Sequence, residues 1–562
     1  MAIIKIENLS FSYPEQKSKA IDNISISIEK GDFILICGKT GCGKSTLIKQ
    51  LKPEITPYGE KEGNIYYKNS PLETLTNKES AAEIGYVLQN PDNQIVTDKV
   101  WHELAFGLEN LGVPTPTIRR RVAEMASFFG IEKWFREDIK NLSGGQKQIL
   151  NLASIMVMNP KVLILDEPTA QLDPIAATDF INTLYKINQQ LSLTIILVEH
   201  RLEETFPIAD KVLVLDKGKK LIYDTPRKVG QSFGNSKNHS IIHGFPTPIR
   251  IYNECNTNDK CPITIREGSA WLSKNFKSNA NKVAPYRKPP HSKVVLELKD
   301  IWFRYGRELP DILRGVSLKV YKGEIFSILG GNGSGKTTTL NIISGINLPY
   351  RGKVLIHGKN ISDYKKKELY HNNIAVLPQN PQTLFVKNQV EKEFEEIVNV
   401  MKYNKDEAIE KIHSIAEVLN IKHLFKMHPY DLSGGEQQKV ALAKILLLNP
   451  KIILFDEPTK GLDGYSKKIL GSILMDLKKT DVTTIMVSHD IEFCAKYSDR
   501  CALFFDGNIV SEDGPVAFFS NNNFYTTAAN RMSRHIFKNA ITSEDVINLC
   551  QQNLKNDIIK EA

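Results

Sequence analysis

Two short glycine-rich segments carry the residue types that a bound polyphosphate requires. Gly38-Lys39-Thr40-Gly41-Cys42-Gly43-Lys44-Ser45 follows the apolar run Phe33-Ile34-Leu35-Ile36-Cys37 and precedes the helix-like Leu47-Ile48-Lys49-Gln50-Leu51. Gly330-Gly331-Asn332-Gly333-Ser334-Gly335-Lys336-Thr337 repeats the spacing in the second half of the chain. Glycines let the backbone curl so that successive N–H groups and a helix N-terminus face phosphate oxygens. The lysine neutralises charge on the β- and γ-phosphates, and the hydroxyl that follows it, Ser45 or Thr337, is placed to coordinate Mg²⁺. Gly38, Gly41, Gly43, Lys44, Ser45 and Thr46, with Gly330, Gly333, Gly335, Lys336, Thr337 and Thr338, are therefore the expected ATP-binding positions of two phosphate loops. A chance glycine-rich turn is the bland alternative. Two matches in the same strand–loop–helix setting speak against it.

Each loop is followed far downstream by an apolar run that ends in two adjacent acids, Val162-Leu163-Ile164-Leu165-Asp166-Glu167 and Ile452-Ile453-Leu454-Phe455-Asp456-Glu457. A strand that is apolar along its whole length is buried on both faces and delivers its acids at the C-terminal edge, where open α/β sheets bind ligands. Asp166 and Asp456 would hold Mg²⁺ through its shell, and Glu167 and Glu457 would polarise the attacking water. Taken alone, such a strand end could be a structural turn. Behind a phosphate loop in each half, it reads as catalytic.

The elements that must position these residues occur twice. Tyr13 and Tyr305 lie 292 residues apart, as do Lys44 and Lys336, while Gln89/Gln379, Ser143/Ser433 and Asp166/Asp456 are separated by 290 and His200/His489 by 289. So small a drift across a whole domain means duplication. Each copy alternates strand, loop and helix, which predicts an α/β class with two tandem domains, at 1–227 and 293–519. The stretch 228–292 is rich in Asn, Ser, Lys and Pro and holds ten basic residues against three acidic ones, so most of the chain's +9 charge sits there. It reads as a basic linker, flexible in part, with too little apolar periodicity for a core. A small helical tail is expected over 520–562. The seven cysteines lack metal-ligand spacing and are read as reduced thiols. No apolar run approaches the roughly 18–20 residues of a membrane span, and the N-terminal alternation reads as a strand and not a signal peptide, so a cytosolic location is expected.

Leu142-Ser143-Gly144-Gly145-Gln146 and Leu432-Ser433-Gly434-Gly435-Glu436 each open a helix about 20 residues before the acid-tipped strand. Here the chain resembles ATP-binding-cassette (ABC) ATPases over nearly all of both copies. The resemblance implies P-loop domains with a mainly parallel sheet, an antiparallel β subdomain and a helical signature subdomain. It implies that the two cassettes form an intramolecular pseudo-dimer, in which ATP on one phosphate loop is closed over by the signature of the other, pairing Lys44 with Ser433 and Lys336 with Ser143. By the same resemblance Tyr13 and Tyr305 stack on adenine, Gln89 and Gln379 sense the γ-phosphate and Mg²⁺, Asp173 and Asp463 lie at the seam, and His200 and His489 contact the γ-phosphate and attacking water. A lone histidine after a strand is more often structural, but these two recur at matching positions. Glu436 departs from the family's usual signature Gln, and Lys460-Gly461-Leu462-Asp463 differs from Ala170-Gln171-Leu172-Asp173. Two unequal hydrolytic sites are expected.

Behind each Gln comes an amphipathic helix, one with Trp101, Leu104, Ala105 and Leu108 beside Glu103 and Glu109, the other with Val390, Phe394, Ile397 and Met401 among Glu391, Glu393, Glu395 and Glu396. Both could simply pack on their own domains. This region is similar to the fused ATPase subunits of energy-coupling-factor (ECF) importers of vitamins and transition-metal ions. That similarity implies a transmembrane coupling subunit and a substrate-binding membrane subunit as partners, a peripheral place on the cytoplasmic face of the cell membrane, and acids at Glu103, Glu109, Glu391 and Glu395 facing basic coupling helices. The rival is a soluble tandem ABC protein of the ribosome, for which Trp271, Phe276 or Tyr286 in the basic stretch would stack on RNA. The stretch has Pro and Asn where that family has a charged helical hairpin, so nucleic acid is not expected as a partner.

Overall fold

The computed structural model describes residues 2–14, 18–233, 240–255, 257, 259–277, 293–401, 403–523 and 525–561. They fall into two compact units, 1–264 and 265–562.

In the first unit a six-stranded sheet runs in the order Lys219–Asp224, Lys211–Asp216, Phe33–Gly38, Thr194–Val198, Val162–Asp166, Ile84–Val87. All neighbours are parallel except the outermost pair at the Lys219–Asp224 edge. The phosphate-loop strand is thus central, and its side chains serve two cores. Phe33, Leu35 and Cys37 join helical side chains on one face, while Ile34 and Ile36 meet Ile6, Leu9 and Ile65 of a four-stranded antiparallel sheet on the other. A run of five consecutive apolar residues is what such a two-sided burial demands.

The second unit repeats the plan, with Ile374–Leu377, Ile452–Asp456, Thr483–Val487, Ile325–Gly330, Arg500–Phe505 and Asn508–Asp513 in one sheet and Val294–Phe303 central to the antiparallel one. Parallel pairing brings Asp166 level with Val198 and Asp456 level with Val487, so acid and histidine emerge at the same sheet edge.

The stretch read as a linker behaves differently from that expectation. Helices Thr247–Glu254 and Ile265–Asn275 form within it. Ile249 and Cys261 are fully buried in the helical-side core of the first unit, where Phe245 packs on Phe206 and Phe233. Trp271, Leu272 and Phe276 are buried in the second unit, whose helix Ala528–Ser533 lies against Ile265–Asn275. Sparse apolar residues do not build a core of their own, but they extend one that already exists. The expected stacking residues Trp271 and Phe276 are therefore interior; Tyr286 lies outside the described residues.

The two post-Gln helices are anchored unequally. Glu393 is fully buried, accepts the backbone N–H groups of Val386 and Lys387 at 2.6 Å each, and takes a hydrogen bond from Lys444 Nζ at 2.5 Å. Lys444 belongs to the signature helix Gly434–Leu446, so an ion pair ties that helix to Val390–Met401. In the first unit Glu103 caps the same turn through Val96 and Thr97, but Ser154 stands where the lysine would be and bonds its own helix at Asn151. Glu103 is buried, which removes it from the acidic surface expected of that helix.

Stripping one partner from a buried pair leaves an uncompensated charge. Lys444→Met is expected to destabilise the second unit by about 3–5 kcal/mol, whereas Ser154→Ala in the first should cost under about 1 kcal/mol, as read by denaturant unfolding.

Candidate nucleotide and hydrolysis site

The loop between strand Phe33–Gly38 and helix Lys44–Lys49 turns through left-handed backbone at Gly41 and Gly43. At Gly43, with φ 98°, a Cβ would fall 2.3 Å from the Ala20 carbonyl oxygen, so only glycine fits. Lys44 is buried and folds back to donate to the carbonyl oxygens of Gly38 and Lys39 at 3.1 and 3.0 Å. Lys336 donates likewise to Gly331 at 2.8 Å. The lysines thus lie inside their own loops, with the helix N-terminus behind them, which is the geometry of an anion cradle.

The hydroxyl after each lysine reaches the acid-tipped strand. Ser45 Oγ donates to Asp166 Oδ1 at 2.9 Å and Thr337 Oγ1 to Asp456 Oδ1 at 3.1 Å. Burial pushes both aspartates above the ordinary carboxylate range; at Asp166 the charge of Glu167 adds to the rise and Ser45 offsets it, while at Asp456 Thr337 and Lys336 offset it. Tyr86 places a second hydroxyl 3.4 Å from Asp166 Oδ2, a contact with no forewarning in the motifs. A hydroxyl and a carboxylate this close offer the all-oxygen donors that a small hard cation prefers.

Glu167 and Glu457 both turn sharply at the strand end, with φ of 47° and 52°. Left-handed backbone at a non-glycine costs of order 1–2 kcal/mol, and it persists where the surroundings over-determine it. Here the Glu167 N–H donates to the Val198 carbonyl at 3.0 Å and that of Glu457 to Val487 at 2.9 Å, which fixes the turn and directs each carboxylate at its histidine. His200 Nε2 stands 2.8 Å from Glu167 Oε1 and His489 Nε2 3.1 Å from Glu457 Oε1. Gln89 Nε2 donates to the other oxygen of Glu167 at 2.9 Å; Gln89 and its counterpart Gln379 are both exposed. Burial lifts Glu457 to about 7, against the charge of Lys336 and the backbone N–H of His489.

Tyr13 and Tyr305 approach the helices that follow the loops, their hydroxyls 3.0 and 3.2 Å from Thr46 and Thr338, with Phe11 and Phe303 edge-on behind the rings. Loop, acids, glutamine, histidine and tyrosine of each copy therefore converge at one sheet edge. The signature residues stand apart and bond among themselves. Ser143 Oγ accepts from the Gln146 N–H at 3.3 Å and the Gln146 side chain accepts from Ser143 N–H at 2.9 Å. In the second copy the Ser433 N–H donates to the Glu436 carboxylate at 2.9 Å, and the Ser433 hydroxyl donates to the same oxygen at 2.6 Å. Gly144 and Gly434 have open space where a side chain would stand. Asp173 and Asp463 cap the helices Pro174–Leu191 and Gly464–Lys479 through Ala176 and Ser466.

One residue that the motif reading passed over is Glu199. It is almost wholly buried, and its Oε1 accepts the Thr169 hydroxyl at 2.6 Å and the Thr169 N–H at 3.1 Å, while Oε2 accepts the His200 N–H at 3.0 Å. Burial raises its carboxyl above the usual value, the Thr169 hydrogen bonds offset this, and the charge of Glu167 adds to it. Setting Val198-Glu199-His200 beside Val487-Ser488-His489 would have exposed it, since the repeat differs there by an acid.

Two tandem P-loop cassettes, each with an antiparallel sheet and a signature helix, define an ABC ATPase, and the chain belongs to that family: the ABC transporter family model matches residues 21–170 and 313–460. It is 41% identical over the full length of both chains to a "Putative ABC transporter ATP-binding protein" of Bacillus thuringiensis subsp. konkukian. A protein of the same description from Methanosarcina mazei is 33% identical, over 92% of this chain and 89% of its own. The "Putative HMP/thiamine import ATP-binding protein YkoD" of Bacillus subtilis is 29% identical over 92% of both. Among the described residues no helix is long and apolar enough to cross a membrane.

Gly43→Ala forces a left-handed alanine and a clash with the Ala20 carbonyl. With the backbone term alone at about 1–2 kcal/mol, at least roughly tenfold weaker ATP binding is expected at one of two sites, visible as a lost high-affinity step in titration calorimetry.

Proposed function

We propose that this chain is the ATP-hydrolysing subunit of an ECF-type importer for a vitamin or a transition-metal ion. The observation that carries the reading is the surface left by the two post-Gln helices. In the first unit Val96, Trp101 and Glu109 are exposed; in the second Val386, Val400, Glu391 and Glu395 are exposed. Apolar side chains rimmed by acids suit an amphipathic, basic helix of a membrane partner. The import role printed for the Bacillus subtilis relative, matched along nearly the whole chain, supports it. The chain then sits peripherally on the cytoplasmic face of the cell membrane, and a separate membrane subunit selects the substrate.

In this reading Lys44 and Lys336 neutralise phosphate charge, and Ser45, Asp166 and Gln89, or Thr337, Asp456 and Gln379, would hold Mg²⁺. Bound there, Mg²⁺ would supply positive charge to offset that developing on the phosphates. Glu167 and Glu457 orient and polarise water, and His200 and His489 hold those carboxylates and contact the γ-phosphate. Ser143, Gly144, Gly145 and Gln146, with Ser433, Gly434, Gly435 and Glu436, are the signature residues that the family resemblance assigns to ATP. The ribosomal alternative loses its stacking residues Trp271 and Phe276 to the interior.

The chain carrying Glu167→Gln and Glu457→Gln together should bind ATP as before and lose turnover by at least about a hundredfold; ordinary steady-state hydrolysis would sink the assignment. Pulled from native membranes in mild detergent, the protein should bring a polytopic membrane protein with it. Salt-sensitive sedimentation with ribosomes instead would overturn the import reading.

A further inference from the structure

The two copies differ in where the backbone N–H of the catalytic-site histidine goes. In the second, His489 N–H donates to Glu457 Oε2 at 3.2 Å, so the histidine's amide leans on the water-polarising carboxylate itself. In the first, His200 N–H donates to Glu199, and the Oε2 of Glu167 accepts Gln89. The same acid grips Thr169, two residues past Glu167, and so joins the segment leaving the acid-tipped strand to the segment carrying the histidine. Its neighbour Arg201 adds a bond to the Leu172 carbonyl at 2.9 Å, next to Asp173. At the equivalent place in the second copy the acid has changed sides of the histidine. Ser488 stands before His489, and its hydroxyl accepts the Asp490 N–H at 3.0 Å and meets Thr459 Oγ1, the counterpart of Thr169, at a longer 3.4 Å. Asp490 in turn caps the next helix through Phe493.

We propose that Glu199 is a positioning residue of the first hydrolysis site, holding His200 and the Thr169 segment in register so that Glu167 is shared between His200 and Gln89. The inference rests on the reading of Glu167 as the water-polarising group. Glu199 acts through the groups it holds, the Thr169 segment and the His200 N–H. In the second cassette the Ser488/Asp490 pair replaces it, and the two sites reach the same alignment by different bonds.

Glu199→Gln keeps an oxygen for Thr169 but turns an NH₂ toward the His200 N–H, donor against donor. In the full-length chain we expect kcat for ATP to fall by up to about twofold if two equal sites turn over independently and about tenfold if they are coupled, with KM and melting temperature nearly unchanged, because Lys44 and Ser45 are untouched. The double replacement Glu199→Ser with Arg201→Asp, which installs the second cassette's pair, should restore kcat to the original value. An unchanged kcat in a folded Glu199→Gln chain overturns the proposal. So does a folded double variant that stays as slow as Glu199→Gln, which would mark Glu199 as structural filling. If Glu199→Gln fails to fold, Glu199→Ser alone is the comparison, and equal kcat in the single and double variants counts against the proposal. Glu167→Gln, measured alongside, separates the two ideas: full turnover in that chain removes the reading of Glu167, whereas loss of turnover there with no effect at Glu199 removes only this inference.

Discussion

A carboxylate at the end of a strand buried on both faces has few ways to be satisfied, and that constraint organises each cassette. Water is scarce at Asp166 and Asp456, so burial favours their neutral forms, and a hydroxyl from the phosphate loop must approach to compensate. That approach fixes the loop's distance from the sheet. The following glutamates leave the strand through left-handed backbone, held by the next strand's carbonyl, and Glu457 stays buried after the turn. The histidine arrives on that same neighbouring strand, because parallel pairing brings its end level with the acids. Loop, acids and histidine are thus one arrangement, produced by the pairing order of three strands.

Much of this was legible in the sequence, for a physical reason. Two-sided burial leaves unbroken apolar runs, glycines mark backbone that no other residue adopts, and duplication shows each signal twice. What the sequence hid were contacts made by side chains whose type is ordinary. Glu103 reads as a surface acid on an amphipathic helix, yet it turns inward because the preceding turn offers two free N–H groups. Ile249, Cys261 and Trp271 are too sparse to register as a periodic pattern, but a core already in place gives each a slot. Glu199 has Ser488 as its counterpart, so duplication does not show it twice as it does the neighbouring histidine.

Duplication followed by divergence has left the copies alike in framework and unlike in fine bonding. The Ser433 hydroxyl donates to the Glu436 carboxylate where Ser143 faces the neutral Gln146, so the second signature presents an acidic neighbour. A buried lysine joins two helices in one unit and has no counterpart in the other. Such differences lie outside the motifs themselves, which is why counting motifs makes the halves look equivalent.

The helices between the cassettes also bear on how the gene could be divided. Composition would place the cuts at Lys228 and Ser292 and discard the polar interval as a tether. Doing so would open one hydrophobic core where Phe245, Ile249 and Cys261 now sit, and strip another of Trp271 and Leu272. The seam that respects both cores falls between Thr264 and Ile265. A chain cut there would leave Phe245, Ile249 and Cys261 with the first unit and Trp271 and Leu272 with the second.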